Sequence, residues 1–280
     1  MLVLETIADF RRERTRREGT CGFVPTMGYL HEGHLALVRR ADAENDHVVV
    51  SIFVNPTQFG QNEDFGGYPR DLKRDLEMLR AVPNLIVFTP TVAEIYPHGF
   101  QSYVQVEEVS QGLEGERRSG HFRGVATVVA KLFNIVQPQR AYFGQKDAQQ
   151  LTVIRQMVRD LAFPLEVIGV PTVREPDGLA LSSRNSYLTP EQRAAAPVLY
   201  RALCAARDRY AEGEREAEAL RAAMRAVLAT EPLAAVDYVS AADAETLREC
   251  EGTISNTVLL SMAVRIGRAR LIDNLSVGVD

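Results

Sequence analysis

Two histidines three residues apart, His31 and His34, flank Glu32 and Gly33 in the segment FVPTMGYLHEGHLALVRRA, residues 23–41. A metal held on one helix face needs the i, i+4 spacing of H-E-x-x-H. Here the spacing is one residue short, Gly33 falls between the rings, and no third ligand cluster stands nearby, which argues against zinc. Pro25, Gly28 and Gly33 instead mark a turn from strand to helix. A helix N-terminus offers unsatisfied N–H groups and the positive end of its dipole, both suited to phosphate. His34 falls in the first helical turn and His31 just before it, so both rings can face one anion. Two surface histidines beside an ordinary helix start are the plain alternative.

Three further loops carry compatible chemistry. SIFVNPTQFG closes an apolar run with Asn55 and Gln58, neutral amides that can grip hydroxyls and carboxylates without adding charge. An Asn-Pro turn with a solvent-facing Gln would read the same way. FGQKDAQQL sets Lys146 and Asp147 between a strand and a helix; Asp147 with Gln150 also fits a helix cap. GLALSSRNSYL offers Ser182, Ser183 and the planar fork of Arg184, a set matched to polyphosphate oxygens, or else a Ser-rich connection between domains. Neither a P-loop nor a G-x-G-x-x-G turn is present, and Cys21 lies inside a strand with no G-x-S-x-G elbow elsewhere. The inventory fits a polyphosphate beside a small polar substrate, with catalysis by positioning and charge stabilisation.

These loops need a scaffold. HVVVSIFVN and NLIVFTP are apolar runs too continuous for half-exposed strands, so both faces should be buried. CGFVPT, RAYFG and PLEVIGV read as further strands. Helices are expected over HLALVRRADAE, DLKRDLEMLR, GVATVVAKLFNIV (Val125, Val128, Val129, Leu132, Phe133 and Val136 at helical spacing) and DAQQLTVIRQMVRDL (Leu151, Ile154, Val158 and Leu161 on one face). Strand and helix in alternation predict an α/β, doubly wound parallel sheet. Ligands there sit beyond the carboxyl ends of the strands, where strand order reverses. Three of the loops, PTMGYLHEGH, VNPTQFGQNEDF and FGQKDAQQ, begin where an apolar strand run stops, so their polar residues should converge on one crevice. From residue 191 to 230 the chain is rich in Ala, Glu and Arg, predicting two helices broken near Glu212 and Gly213, and three strands follow. The expected organisation is a first domain over residues 1–176 and a smaller α+β domain over residues 177–280.

An apolar fraction of 46% and a charged fraction of 25% are those of a globular protein, and a net charge of −5 argues against a nucleic-acid binder. Residues 11–18, RRERTRRE, read as a solvated helix face before the first strand. Three scattered cysteines make neither a disulfide framework nor a zinc knuckle. With neither a secretory signal nor a run of the roughly 18 apolar residues a span requires, no membrane association and a cytoplasmic location are expected.

FVPTMGYLHEGHLALVRRA, VVVSIFVNPTQFGQNEDFGGYPRD, HFRGVATVVAKLFNIVQPQRAYFGQKDAQQLTVIRQMVRDL and VREPDGLALSSRNSYL, in that order, closely resemble the pantothenate synthetase (pantoate–β-alanine ligase) family, as does RLIDN near the C-terminus. HEGH resembles the HIGH motif of the wider nucleotidylyltransferase superfamily, with LSSRN in the place of KMSKS. Tyr29 stands where the family usually has a smaller residue, and Gly66 and Gly67 where a polar one is common.

The resemblance implies a Rossmann-like first domain and condensation of (R)-pantoate with β-alanine through pantoyl adenylate, releasing pyrophosphate and then AMP. It implies that Met27, Gly28, Tyr29, Leu30, His31, Glu32, Gly33 and His34 line the ATP site, with His34 as proton donor. Gly144, Gln145, Lys146 and Asp147 would contact ATP, Lys146 at the phosphates and Asp147 at the ribose. Val173 and Leu181 would pack on adenine, and Ser182, Ser183 and Arg184 would close over the triphosphate. His31, His34, Lys146 and Arg184 form the implied catalytic set. Gln58, Gln150 and Asn55 would hold pantoate, and Gln58 would also meet β-alanine. Mg²⁺ would enter with ATP, Asp75 being one candidate protein ligand, with no tightly bound organic cofactor. A homodimer is implied, with small molecules as the other partners. A nucleotidylyltransferase that leaves AMP on its product, and a non-catalytic nucleotide-binding module, remain the alternatives.

Overall fold

A computed structural model describes residues 1–60 and 65–278; part of the expected loop after NPTQFG, residues 61–64, lies outside the described residues. The chain falls into two compact units, residues 1–145 with 150–171, and residues 146–149 with 172–280.

In the first unit the elements run β1 (Leu2–Leu4), α1 (Ile7–Arg14), β2 (Cys21–Thr26), α2 (Glu32–Glu44), β3 (His47–Ile52), α3 (Leu72–Leu79) and β4 (Leu85–Phe88). They continue through α4 (Val92–Ile95), α5 (Leu113–Arg117), α6 (His121–Val136), β5 (Arg140–Gly144), α7 (Ala148–Asp160, whose first two residues fall in the second unit) and β6 (Glu166–Val170). Every pairing in the six-stranded sheet is parallel, in the order β1-β4-β3-β2-β5-β6. The expected α/β class is what the chain adopts.

The continuous apolar strands follow from helices on both faces. Val24, Val48, Val50 and Val87 share a core with Leu37, Val38 and Ala41 of α2. On the other face Phe23 meets Phe133 of α6 edge-on at 6.3 Å, and Phe133 meets Phe143 at 6.4 Å. The winding reverses at β2, which lies between β3 and β5. The β2–β5 ladder ends at Phe23↔Ala141, and Pro25, with no N–H to donate, lies beyond it. The sheet therefore opens at the carboxyl end of β2, where TMGYLHEGH begins.

Three local readings need correction. Strand β1 precedes α1, so the arginine-rich segment does not come before the first strand; three residues on a sheet edge leave too short a pattern to see. Nor is that segment only a solvated face. The Arg14 guanidinium donates to the carbonyls of Val136 (3.2 Å) and Gln137 (3.4 Å), and Arg17 donates to that of Asn84 (2.9 Å). On α7 the buried stripe is Leu151, Ile154 and Met157, whereas Leu161 lies past the helix end and is 53% exposed.

The second unit carries α8 (Pro190–Ala195), α9 (Val198–Ala211), α10 (Ala217–Leu228) and an antiparallel sheet of β7 (Ala234–Asp243), β8 (Val258–Ile266) and β9 (Ala269–Val277). Thr189 and Gln192 form a capping box around Pro190 that starts α8, an extra turn ahead of the two expected helices. The break between α9 and α10 holds Gly213 at φ 103°, a conformation glycine adopts without strain. Leu199, Leu203, Leu220 and Met224 pack with Leu260, Met262 and Val264 of the central strand β8, giving the small α+β core expected here. Among the described residues, no helix is long and apolar enough to cross a membrane.

Candidate active site

His31 is the N-cap of α2, with extended backbone, and its Nδ1 accepts the N–H of Gly33 at 3.1 Å. Reciprocally, His34 Nδ1 accepts the N–H of His31 at 3.3 Å. An imidazole nitrogen that accepts carries no proton, so each neutral ring keeps its proton on Nε2. An Nε2–H is a donor, the polarity a phosphate oxygen needs. At the helix mouth itself, Gly33 N–H is taken by an imidazole and His34 N–H by the His31 carbonyl at 2.8 Å. Glu32, expected to line the nucleotide, turns its carboxylate to Arg39 at 2.9 Å on an exposed face.

Behind this turn stands Asp75. Gly28 and Tyr29 both have left-handed backbone, φ 80° and 51°. The Asp75 carboxylate, 1% exposed, accepts the N–H of Tyr29 at 2.8 Å and of Leu30 at 2.7 Å. Two successive amides aimed at one anion form an anion nest, here filled by the chain itself. Burial raises the Asp75 pKa, against the lowering effect of those two N–H donors. With both oxygens accepting main-chain amides, Asp75 braces the turn. The signal is readable in the chain, since Asp75 shares a buried helix face with Leu79 at i, i+4. The Arg74 guanidinium lies 5.1 Å over the Tyr29 ring.

Asn55 and Gln58 bracket a 3-10 turn, Pro56–Gln58, after β3. Asn55 is 1% exposed and its carboxamide is consumed within the protein. Nδ2 donates to Gln58 Oε1 (3.0 Å) and to Gly124 O (3.1 Å), while Oδ1 accepts from Thr57 Oγ1 (2.9 Å) and the Tyr96 hydroxyl (2.8 Å). Asn55 thus supports Gln58 from beneath. Gln58 itself points Nε2 at Met27 Sδ, 3.2 Å away, which joins this turn to the TMGY loop. Gly124 lets α6 touch the turn, since a Cβ there would stand 2.3 Å from Thr57 O. His121, at the start of α6, is a residue that sequence reasoning misses; its Nδ1 lies 2.9 Å from Gln58 O.

Gly144 ends β5, Gln145–Asp147 forms a 3-10 turn, Asp147 immediately precedes α7, and Gln150 is half-buried in the first turn of that helix. Within the second unit, Lys146, Ser182 and Arg184 line one small concavity with Asn185, Arg270 and Asp273. Ser182 Oγ caps the 3-10 helix Ser183–Tyr187 by accepting Arg184 N–H at 3.2 Å. Leu181 N–H donates to Val173 O at 3.0 Å, so the two residues expected at adenine are neighbours. RLIDN acquires a structural meaning here. Asp273, 3% exposed, grips Arg174 through two bonds of 2.6 and 2.8 Å, and Asn274 Nδ2 donates to Lys146 O at 2.7 Å. Lys146 Nζ lies 3.7 Å from Asp147 Oδ1. Burial pushes the Cys21 thiol up to about 11, which rules it out as a thiolate nucleophile near neutral pH.

The whole chain is similar to known proteins. A family model described as pantoate-beta-alanine ligase matches residues 2–276. A pantothenate synthetase from Chloroflexus aggregans is 65% identical over 274 residues, covering 98% of this chain and 99% of that one. The crystal structure of pantothenate synthetase from Thermus thermophilus superimposes with a TM-score of 0.93 at 53% identity, covering 98% of this chain and 99% of that one. The ligase from Francisella tularensis, complexed with beta-gamma ATP and beta-alanine, matches with a TM-score of 0.80 at 36% identity, over 98% of this chain and 97% of that one.

Proposed function

The chain belongs to the pantoate–beta-alanine ligase family, and from that premise we propose how its residues divide the work of joining pantoate to β-alanine at the expense of ATP. A pantoate carboxylate oxygen attacks the α-phosphorus of ATP, the bond to the bridging oxygen breaks, and pyrophosphate leaves. The β-alanine amine then attacks the acyl carbon of pantoyl adenylate. AMP departs with the carbon–oxygen electron pair, the amine gives up a proton, and the amide is pantothenate.

His31 and His34 donate from Nε2 to phosphate oxygens as charge builds there, and His34 can hand its proton to the departing group. Lys146 and Arg184 bring positive charge to the triphosphate, Ser182 and Ser183 bring hydroxyl donors, and Asp147 meets the ribose. Val173 and Leu181 flank adenine. Gln58 and Gln150 hold pantoate, and Gln58 also meets β-alanine. Mg²⁺ would enter with the nucleotide and would withdraw charge from its phosphates, Asp75 being the candidate protein ligand. No strong base is needed for the second step, because amine attack on an acyl adenylate is helped chiefly by proximity. We place the enzyme in the cytoplasm, as a homodimer.

The observation that carries the activity is the family match over residues 2–276. The test is an AMP assay with ATP, pantoate and β-alanine, omitting each in turn. Free AMP that forms only when all three are present supports the ligase. AMP retained on the product would make the protein a nucleotidylyltransferase.

A further inference from the structure

The 56–58 turn is held from several sides, and the hydrogen-bond polarity of each contact can be assigned without ambiguity. Thr57 N–H can only donate, and it faces Asn55 Oδ1 at 3.4 Å. The Gly124 carbonyl can only accept, and it faces Asn55 Nδ2 at 3.1 Å. Asn55 is thereby fixed in one amide orientation, and its Nδ2 requires an acceptor in Gln58, which is Oε1 at 3.0 Å. The Gln58 amide cannot flip without setting two NH₂ groups against each other. On the main chain, Arg118 Nη1 lies 2.9 Å from His121 Nε2. A guanidinium has no acceptor, so Nε2 accepts, the ring proton sits on Nδ1, and Nδ1–H donates to Gln58 O at 2.9 Å. His121 is buried, 7% exposed, at the first position of α6.

We propose that His121 is a positioning residue for Gln58, and that with Asn55 it holds the Gln58 carboxamide as a hydrogen-bond donor, so that this subsite selects the acceptor oxygens of a hydroxy acid. The inference rests on the reading that pantoate binds at Gln58. His121 touches no substrate; it acts by fixing the carbonyl of the residue that does. Two elements far apart in sequence are joined by it, the turn after β3 and the N-terminus of α6.

The experiment is steady-state kinetics on the purified enzyme with pantoate and ATP varied separately. His121→Leu is expected to raise the pantoate KM about tenfold, the loss of roughly one buried hydrogen bond, with less than a twofold change in the ATP KM. His121→Asn, whose Nδ2 stands near the position of Nδ1, should recover most of that loss. A pantoate KM unchanged in His121→Leu, an ATP KM that rises equally, or an Asn variant as poor as Leu would each overturn the positioning role. Should His121→Leu not fold, His121→Gln, which can still accept from Arg118 but holds its NH₂ away from the Gln58 carbonyl, is expected to show the same selective rise. Gln58→Glu removes the donor and should raise the pantoate KM at least as far as Gln58→Ala; a wild-type KM in Gln58→Glu would overturn the assigned polarity. If Gln58→Ala itself leaves the pantoate KM unchanged, the placement of pantoate fails. An effect in Gln58→Ala with none in the His121 variants removes the positioning inference alone.

Discussion

His31 and His34 cap one another's helix turn. Their rings lie 4.1 Å apart, inclined at 41°, and each spends its Nδ1 on a main-chain N–H. Removing a side chain therefore has two consequences that separate in different substitutions. His34→Ala should abolish most pantoate-dependent pyrophosphate release, on the order of a hundredfold or more as for loss of a transition-state donor. It should also cost about 1 kcal/mol of stability from the lost cap. His34→Asn keeps an acceptor for His31 N–H but has no Nε2–H, so urea unfolding should return toward wild type while pyrophosphate release stays low. Unimpaired release in either variant would remove His34 from the chemistry.

Gly124 is a second point of leverage. A Cβ at this position would stand 2.3 Å from Thr57 O and 2.7 Å from Gln58 Cα, both main-chain atoms with little freedom to yield. Gly124→Ala should thus destabilise the fold by about 1–3 kcal/mol, although alanine is the better helix former. The pantoate KM should rise with it, because the turn carrying Gln58 must shift. A stabilised variant in thermal melting would show that α6 and the turn are less closely joined than these distances require.

The Arg174–Asp273 pair is nearly dry, with side-chain exposures of 17% and 3%. Breaking a buried pair leaves one charge without compensation, at a cost of about 3–5 kcal/mol. Asp273→Ala should lower the melting temperature sharply. Asn274→Ala, which removes the bond to the Lys146 carbonyl and leaves the Arg174–Asp273 pair in place, should cost far less in melting and raise the ATP KM. Equal melting losses in the two variants would contradict this division of labour.

His47 begins β3 with 4% exposure, and its Nε2 meets no hydrogen-bond partner among the described residues. Burial, followed by the nearby positive charges of Arg14 and Arg17, lowers its pKa from the usual 6.5, while Asp46 opposes the shift. The unfolded chain takes up a proton here below about pH 6.5 that the folded chain resists. Stability is therefore full above that pH and declines as pH falls toward the lowered folded value, by at most ~1.4 kcal/mol per pH unit. His47→Asn should flatten the acid limb of a urea-unfolding series between pH 7 and 5. An unchanged slope would assign that limb to other groups.

Much of this architecture can be read in the chain because burial on both faces writes an unbroken apolar run: Val48, Val49 and Val50 are all fully buried. Strand β1 escapes the same test, since an edge strand of three half-exposed residues writes no pattern. The histidine pair is visible as a helix mouth, but that the rings cap the helix depends on side-chain rotation, which spacing does not encode. His121 is invisible for a different reason. Its partner is the main-chain carbonyl of Gln58, 63 positions earlier, and every residue type has that carbonyl. Asn55 is legible as polar and near the site; only the closed set of its partners shows that it faces inward.

The carboxylate of Asp75, seated in the left-handed turn at Gly28 and Tyr29, has one consequence for the working cycle. A turn that waited for an incoming phosphate to gather its amides would be loose in the empty enzyme and would have to be ordered at every turnover. Here the permanent counter-ion orders residues 28–30 when the chain folds, and α2 with its two imidazoles starts from a fixed point. The entropic cost of arranging this turn is met once, when the chain folds, and no ligand that binds against it has to meet that cost again.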